Sequence, residues 1–384
     1  MDPEHDETST MRRAPQEREE GPSMSETTMT PGTGRGTMRA VRFTGEGGAG
    51  SLAVGQEPIP TPGPGEVLVK VAAAGLNRAD VMQREGKYPP PPGASDVPGL
   101  EVSGVVVALG EEAGLPGEGR FAPGDEVCAL LAGGGYAEHV VVPAGQLMAV
   151  PAGVDLVTAA ALPEVACTVW STMSERGGVR AGDVVLVHGG SGGIGTFAVQ
   201  YLAAIGARVL ATAGGPAKCE RVRALGAEDV FDHRSGEPGA FADWVLERTG
   251  GRGADVVLDV VGGPYLDANV RCLAAEGRIV VIAVQGGPKA DGFNLMRLVS
   301  KRGWLTGATL RARSVVDKAR IVAGTERAVA PLVAAGRIDL AVGARFPLDD
   351  AVAAHRRFEA EDRVGRVLLV TDPADALWPQ EDRT

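Results

Sequence analysis

Gly190-Ser191-Gly192-Gly193-Ile194-Gly195 spells G-x-G-x-x-G. A chain with 55 glycines meets that spacing by chance, so its chemistry depends on what flanks it. Here it directly follows the apolar run Asp183–Val187 and directly opens the helical pattern Thr196–Ile205. Glycines at such a strand-to-helix turn let main-chain amides approach a diphosphate, whose charge also meets the positive end of the helix dipole. The next strand end specifies the ligand further. A site for an unphosphorylated adenosine ribose places a carboxylate about 20 residues beyond the glycines. The segment Ala211-Thr212-Ala213-Gly214-Gly215-Pro216-Ala217-Lys218 has none. Lys218, with Arg221 a turn later, supplies cations for a 2′-phosphate, so NADPH is read in preference to NADH.

Other chemistries find little support. The four cysteines (128, 167, 219, 272) form no C-x-x-C pair and no disulfide framework, as in a reducing cytoplasm, and are read as small buried hydrophobes. The five histidines (5, 139, 188, 233, 355) show no metal-ligand spacing. His188 ends the strand before the glycine turn and is read as a packed residue. Net charge is −11, of which residues 1–37 carry −4 and residues 372–384 carry −3. The acidic body offers no basic stripe for nucleic acid. No run of about 18 apolar residues exists for a membrane span, and the polar N-terminus is no secretory signal.

The elements that must position the glycine turn fall into two rhythms. Residues 1–37 lack hydrophobic periodicity and read as a disordered extension, with Met38 starting the fold. Short β-rich runs follow at Met38–Phe43, Glu66–Ala72, Val102–Leu109, Glu126–Leu130 and Glu138–Val142, separated by Pro- and Gly-rich loops. They imply a largely antiparallel β domain. From about residue 161 strands and helices alternate. The strands are Asp183–Val187, Arg208–Thr212, Asp229–Phe231, Asp255–Val260, Arg278–Ala283 and Trp304–Thr309. Between them lie helices at Lys218–Leu225, Ala240–Arg248, Tyr265–Leu273 and Leu295–Ser300. This is an α/β pattern, a doubly wound parallel sheet of six strands with both faces covered. Residues 312–371 offer helices Val315–Ala335 and Leu348–Glu361 and one strand, Gly365–Val370, too little for a domain. The reading assigns them to the β domain (38–160), leaving 161–311 as the nucleotide domain and 372–384 as an acidic tail.

Several segments in order resemble the zinc-independent quinone oxidoreductases of the medium-chain dehydrogenase/reductase superfamily. They are Leu76-Asn77-Arg78-Ala79-Asp80-Val81-Met82-Gln83-Arg84, Gly86-Lys87-Tyr88-Pro89-Pro90-Pro91, Pro98-Gly99-Leu100-Glu101, Gly133-Gly134-Gly135-Tyr136-Ala137-Glu138, His188–Gly195, Leu310-Arg311-Ala312-Arg313 and Gly365-Arg366-Val367-Leu368. The resemblance covers residues 38–370. It implies a GroES-like β domain against a Rossmann domain, an active site in the cleft between them, and homodimers. Asn77 stands where zinc-dependent members of the superfamily place a cysteine ligand, and Leu100 where they place a histidine. An amide and an alkyl chain do not replace a thiolate and an imidazole. Metal ligands are therefore expected to be none.

Carried over position by position, Asn77 and Tyr88 are the implied catalytic-side residues, with Tyr88 bordering the quinone. The implied cofactor contacts are Asn77, Thr168, Gly190, Gly192, Gly193, Ile194 and Gly195, with Gly214, Lys218 and His233 near the adenosine phosphate. Val284, Thr309 and Leu310 follow beside the nicotinamide. Gly192 departs from a serine in close relatives, Gly215 from a phosphate-binding serine, and His233 from a tyrosine. The expected activity is NADPH-dependent quinone reduction without metal or flavin, because ring conjugation delocalises the incoming charge and orientation carries the barrier reduction. One alternative is reduction of an activated C=C bond in an enone, enal or enoyl thioester, with Lys87 and Arg84 as contacts for a CoA partner. Another is a dinucleotide-binding structural or regulatory protein with little turnover. The substrate is a small molecule.

Overall fold

Val184–Val187 is apolar at every position because both its faces are covered. In the computed structural model, which describes residues 36–113 and 120–373, Val185 and Val187 point into one core cluster and Val184 and Leu186 into another. This run is the strand β8 of a six-stranded sheet made with β9 (Arg208–Ala213), β10 (Asp229–Asp232), β11 (Ala254–Asp259), β12 (Leu273–Val281) and β13 (Trp304–Gly307). Every pairing is parallel and the order is β10-β9-β8-β11-β12-β13. The order reverses beside β8, so the glycine turn that follows it opens at the switch point of the sheet, where such sheets bind ligands. Helices α4 (Gly193–Ala204), α5 (Pro216–Ala224), α6 (Phe241–Arg248), α7 (Gly263–Arg271) and α8 (Leu295–Ser300) fill the connections.

The first part of the chain forms the hairpin Thr37–Phe43 with Leu52–Pro58 and the strands Glu66–Gly75, Glu101–Leu109, Glu126–Leu130, His139–Pro143 and Leu147–Ala149. The C-terminal strand Arg366–Val370 joins this sheet, running antiparallel to Glu66–Gly75. A further strand, Val342–Pro347, lies parallel to it at the edge. Together they make a GroES-like β domain beside a Rossmann domain, the α/β architecture implied by the sequence.

Some boundaries differ from the sequence expectations. The segment 312–371 carries two strands rather than one, because Val342–Pro347 contains Gly343 and Arg345 and is mostly half-exposed. The helix expected over Leu348–Glu361 starts as a 3₁₀ turn, Leu348–Asp350, and is α-helical only over Ala351–Glu359. The strand expected from Arg278 begins at Leu273, where the preceding helix was expected to end. Short helices at Arg78–Arg84, Leu156–Ala159 and Pro163–Val169 were not anticipated. Of the extension expected over 1–37, residues 1–35 lie outside the described residues, as do residues 374–384 of the expected tail, and Thr37 already belongs to the first strand, paired with Pro58, so the fold does not begin at Met38.

Candidate cofactor and substrate cleft

The glycine turn is shaped by close contacts that other residues could not make. Gly189 adopts a left-handed φ of +66°. A Cβ on Gly195 would stand 2.1 Å from the Gly189 carbonyl oxygen, and one on Gly190 would press on Val222 at 2.9 Å and Ala211 at 3.1 Å. Gly192 has extended dihedrals and precedes the first turn of α4, whose leading amides have no intrahelical acceptor. Gly193 looks across a crevice at Arg366, 3.5 Å from its would-be Cβ. Arg363 and Val165 line the same crevice.

Two of these lining residues are cations that sequence reasoning did not single out. Arg363 lies over the Phe358 ring, 4.2 Å from its centroid. Burial, aided by Arg366, Arg357 and Arg78, pushes its pKa down to about 10. The Nε of Arg366 is buried without a partner. A helix N-terminus, a glycine-rich turn and crowded guanidinium groups fit a bound diphosphate. The residues present therefore suit a dinucleotide. Nearby, Lys218 Nζ donates to the Glu361 carbonyl at 3.3 Å, two residues from Arg363. A Cβ on Gly214 would meet His233 Nε2 and Arg234 Nε, each at 3.0 Å. Gly214 and His233 thus lie against each other, and Lys218 reaches the segment that carries Arg363, although none of the three lines the crevice itself.

Behind Arg366, Asn77 is 8% exposed and its amide is held by protein. Nδ2 donates to Glu101 Oε1 (2.8 Å), and Oδ1 accepts from Arg366 Nη2 (3.4 Å). Arg366 also pairs with Glu101, which is fully buried. The other Glu101 oxygen accepts the Glu164 amide at 2.9 Å. One helical turn later, Thr168 Oγ1 donates weakly to Glu164 Oε1 at 3.4 Å. Asn77, Glu101, Glu164 and Thr168 form one chain beside the crevice.

Tyr88 is half-buried under Arg311, whose guanidinium carbon lies 5.5 Å from the ring centroid. Burial raises its phenol pKa, Arg311 opposing and Glu164 adding to the effect. Arg311 is fixed by Gln83 Oε1 (2.6 Å) and the Ala132 carbonyl (2.8 Å), and follows directly on Thr309 and Leu310. A groove of about 770 Å³ runs from Pro91 and Gly133 to Arg311 and Lys318. Leu310 is buried, whereas Thr309 is exposed and Val284 is 48% exposed against Gly262.

Other expectations resolve differently. His188 is buried, with Nε2 2.7 Å from Asn269 Oδ1, and burial lowers its pKa. Arg84, read as a contact for CoA, is instead buried, bonded to Glu359 (3.0 Å) and the Gly47 carbonyl (2.9 Å). Lys87 remains an exposed partner of Glu85. Among the described residues no group of three or more His, Cys, Asp or Glu side chains could hold a metal ion, and Leu100 is buried with an alkyl side chain that offers no donor. The donor set for zinc does not fit.

Fold and cleft together define a two-domain GroES–Rossmann oxidoreductase. Residues 63–152 match the family model described as "Alcohol dehydrogenase GroES-like domain", and residues 193–321 match "Zinc-binding dehydrogenase". A mycobacterial quinone oxidoreductase structure is 33% identical, covering 87% of this chain and 99% of its own, with a TM-score of 0.75. A mycobacterial protein solved with NADPH is 32% identical over 87% of this chain and 99% of its own, with a TM-score of 0.76. The Rattus norvegicus "Quinone oxidoreductase" is 29% identical over 88% of this chain and 99% of that protein. A Mycobacterium tuberculosis "Phthioceranic/hydroxyphthioceranic acid synthase" is 34% identical over 80% of this chain, which spans only 14% of that protein's length. The chain belongs to the zinc-independent, quinone oxidoreductase-like family of medium-chain dehydrogenases/reductases.

Proposed function

We propose that this chain is an NADPH-dependent quinone oxidoreductase working without metal or flavin. The observation that carries the reading is the glycine-rich turn at Gly189–Gly195, which opens into a crevice lined across from it by Arg363 and Arg366. Gly190, Gly192, Gly193, Ile194 and Gly195 would hold the diphosphate. Gly214, Lys218 and His233, with Arg363, would hold the adenosine 2′-phosphate. Thr168, Val284, Thr309 and Leu310 would border the nicotinamide, and Asn77 positions that end by tying Glu101 to Arg366. Bound there, NADPH supplies the hydride. Tyr88, kept protonated by burial, donates a hydrogen bond to the acceptor oxygen, and Arg311 holds its ring in place.

The test compares NADPH with NADH against an ortho-quinone, a para-quinone, an enone and crotonyl-CoA, with and without a chelator. The expected result is NADPH-linked quinone turnover that the chelator leaves unchanged. Turnover confined to enoyl thioesters would overturn it, and so would chelator-sensitive activity. Reduction of an activated C=C bond is the second reading, favoured by the 34% identity to a lipid-acid synthase. Absence of all turnover would favour a structural or regulatory nucleotide-binding role.

The active unit is a homodimer in the cytoplasm. The edge strand β13 leaves Trp304 68% exposed, and Met296 and Leu295 of α8 are exposed near it, an apolar edge suited to a second copy. Four buried free cysteines fit a reducing compartment.

A further inference from the structure

Glu164 adjoins the crevice of the glycine turn through its neighbour Val165 and the large groove through Lys318, and nothing in the binding scheme uses it. It opens the helix Pro163–Val169, whose next residue, Val165, lines the crevice. Its Oε2 is buried with no hydrogen-bond partner, and its Oε1 has only the long contact from Thr168. Lys318, on α9 (Val315–Ala334), is 4% exposed, lines the groove, and interacts electrostatically with Glu164. Its ammonium has no hydrogen-bond partner among the described residues. A carboxyl oxygen shut away from water with no partner, beside an ammonium that opens only onto the groove and makes no structural bond, is costly unless something else uses it.

Reduction of a quinone to a hydroquinone consumes a hydride and one proton. Tyr88 is poorly suited to give that proton, because its burial makes the phenolate unfavourable. We propose that Glu164 is the proton donor of the reduction, and that Lys318 is the positioning charge that stabilises the carboxylate it leaves behind. The O–H bond of Glu164 breaks as a new O–H bond forms on the acceptor oxygen, already held by Tyr88. Glu164 then regains a proton from solvent after product leaves, so no further reactant is needed.

The electrostatics agree. Burial, then the charges of Glu101 and Asp80, push the Glu164 pKa up to about 8, while Arg366 and Lys318 oppose the rise. Arg311 and Tyr88 face it from the groove. The carboxyl group is therefore protonated near neutrality and becomes the inactive carboxylate as pH rises past about 8. Removing the Lys318 cation removes one opposing charge, so the transition should move to higher pH.

This inference rests on the quinone-reductase reading, and the experiment separates the two. The pH profile of kcat with NADPH and a para-quinone is measured for the wild type, Glu164→Gln, Glu164→Asp and Lys318→Met. NADPH binding is followed by fluorescence, and the protonated-carboxyl infrared band is titrated in cofactor-free protein. The proposal expects an alkaline limb in the wild type and a carboxyl band titrating over the same range. It expects a roughly 100- to 10,000-fold loss of kcat, with neither limb nor band, in Glu164→Gln. NADPH affinity should stay unchanged there, the limb should persist in Glu164→Asp, and it should shift alkaline in Lys318→Met. Near-wild-type turnover with an intact limb in Glu164→Gln would overturn it, as would an identical infrared titration in that variant. If the wild type reduces the enone but no quinone, the quinone reading falls, and the same profiles run on the enone decide the role of Glu164.

Discussion

In the proposed reading, Lys218 is the residue on which cofactor choice turns. Its ammonium has only a carbonyl contact at 3.3 Å, a weak tie that a 2′-phosphate would readily replace. Lys218→Ala should raise the KM for NADPH by about 10-fold, the loss of one charge-assisted hydrogen bond, and leave NADH nearly unaffected. Steady-state kinetics with both coenzymes measure this, and equal effects on both would remove the phosphate role. Lys218 is proposed from sequence because a cation follows a carboxylate-free strand end. Arg363 and Arg366 were not, since they come from the far end of the chain and meet the glycine turn only through tertiary folding. Glu101 and Glu164 were hidden for a related reason. A carboxylate at the edge of an apolar run looks like a solvated boundary, yet Glu101 is fully buried by its pairing with Arg366.

At the scale of elements, the glycines of the turn should separate into two kinds. Gly195→Ala drives a Cβ to 2.1 Å from a main-chain oxygen that cannot move without breaking the turn. It should cost about 2–3 kcal/mol in denaturant unfolding, in the range for overpacking. At Gly192 a Cβ would come only to 3.3 Å of the same oxygen, so Gly192→Ala should lose less than about 1 kcal/mol. Similar losses for both variants would contradict this account of the turn. The strands of the parallel sheet were readable because burial on two faces leaves continuous apolar runs, as in Val184–Val187. The strand Leu147–Ala149 is three residues long, and Val342–Pro347 is an edge strand carrying Arg345, so neither leaves such a signature. The helix Arg78–Arg84 escaped notice because its length is under two turns and it buries Arg84 through Glu359.

Across the whole molecule, the cleft depends on the chain's last strand returning to the first domain. Arg366–Val370 pairs with Glu66–Gly75, and this places Arg363 and Arg366 opposite the Rossmann turn. That arrangement puts each half of the proposed anion site on a different domain. The proposed dimer is a separate claim at this scale. Trp304→Glu, on the exposed edge of β13, should shift the protein toward monomer in light scattering at micromolar concentration. A monomeric wild type would contradict it. The most direct test of the account as a whole is a crystal structure of the protein with NADPH. The diphosphate should lie within hydrogen-bond distance of the Gly192–Gly195 amides and face Arg366, with the 2′-phosphate near Lys218 and the nicotinamide beside Thr168. A nucleotide bound elsewhere, with that turn left free, would contradict the account.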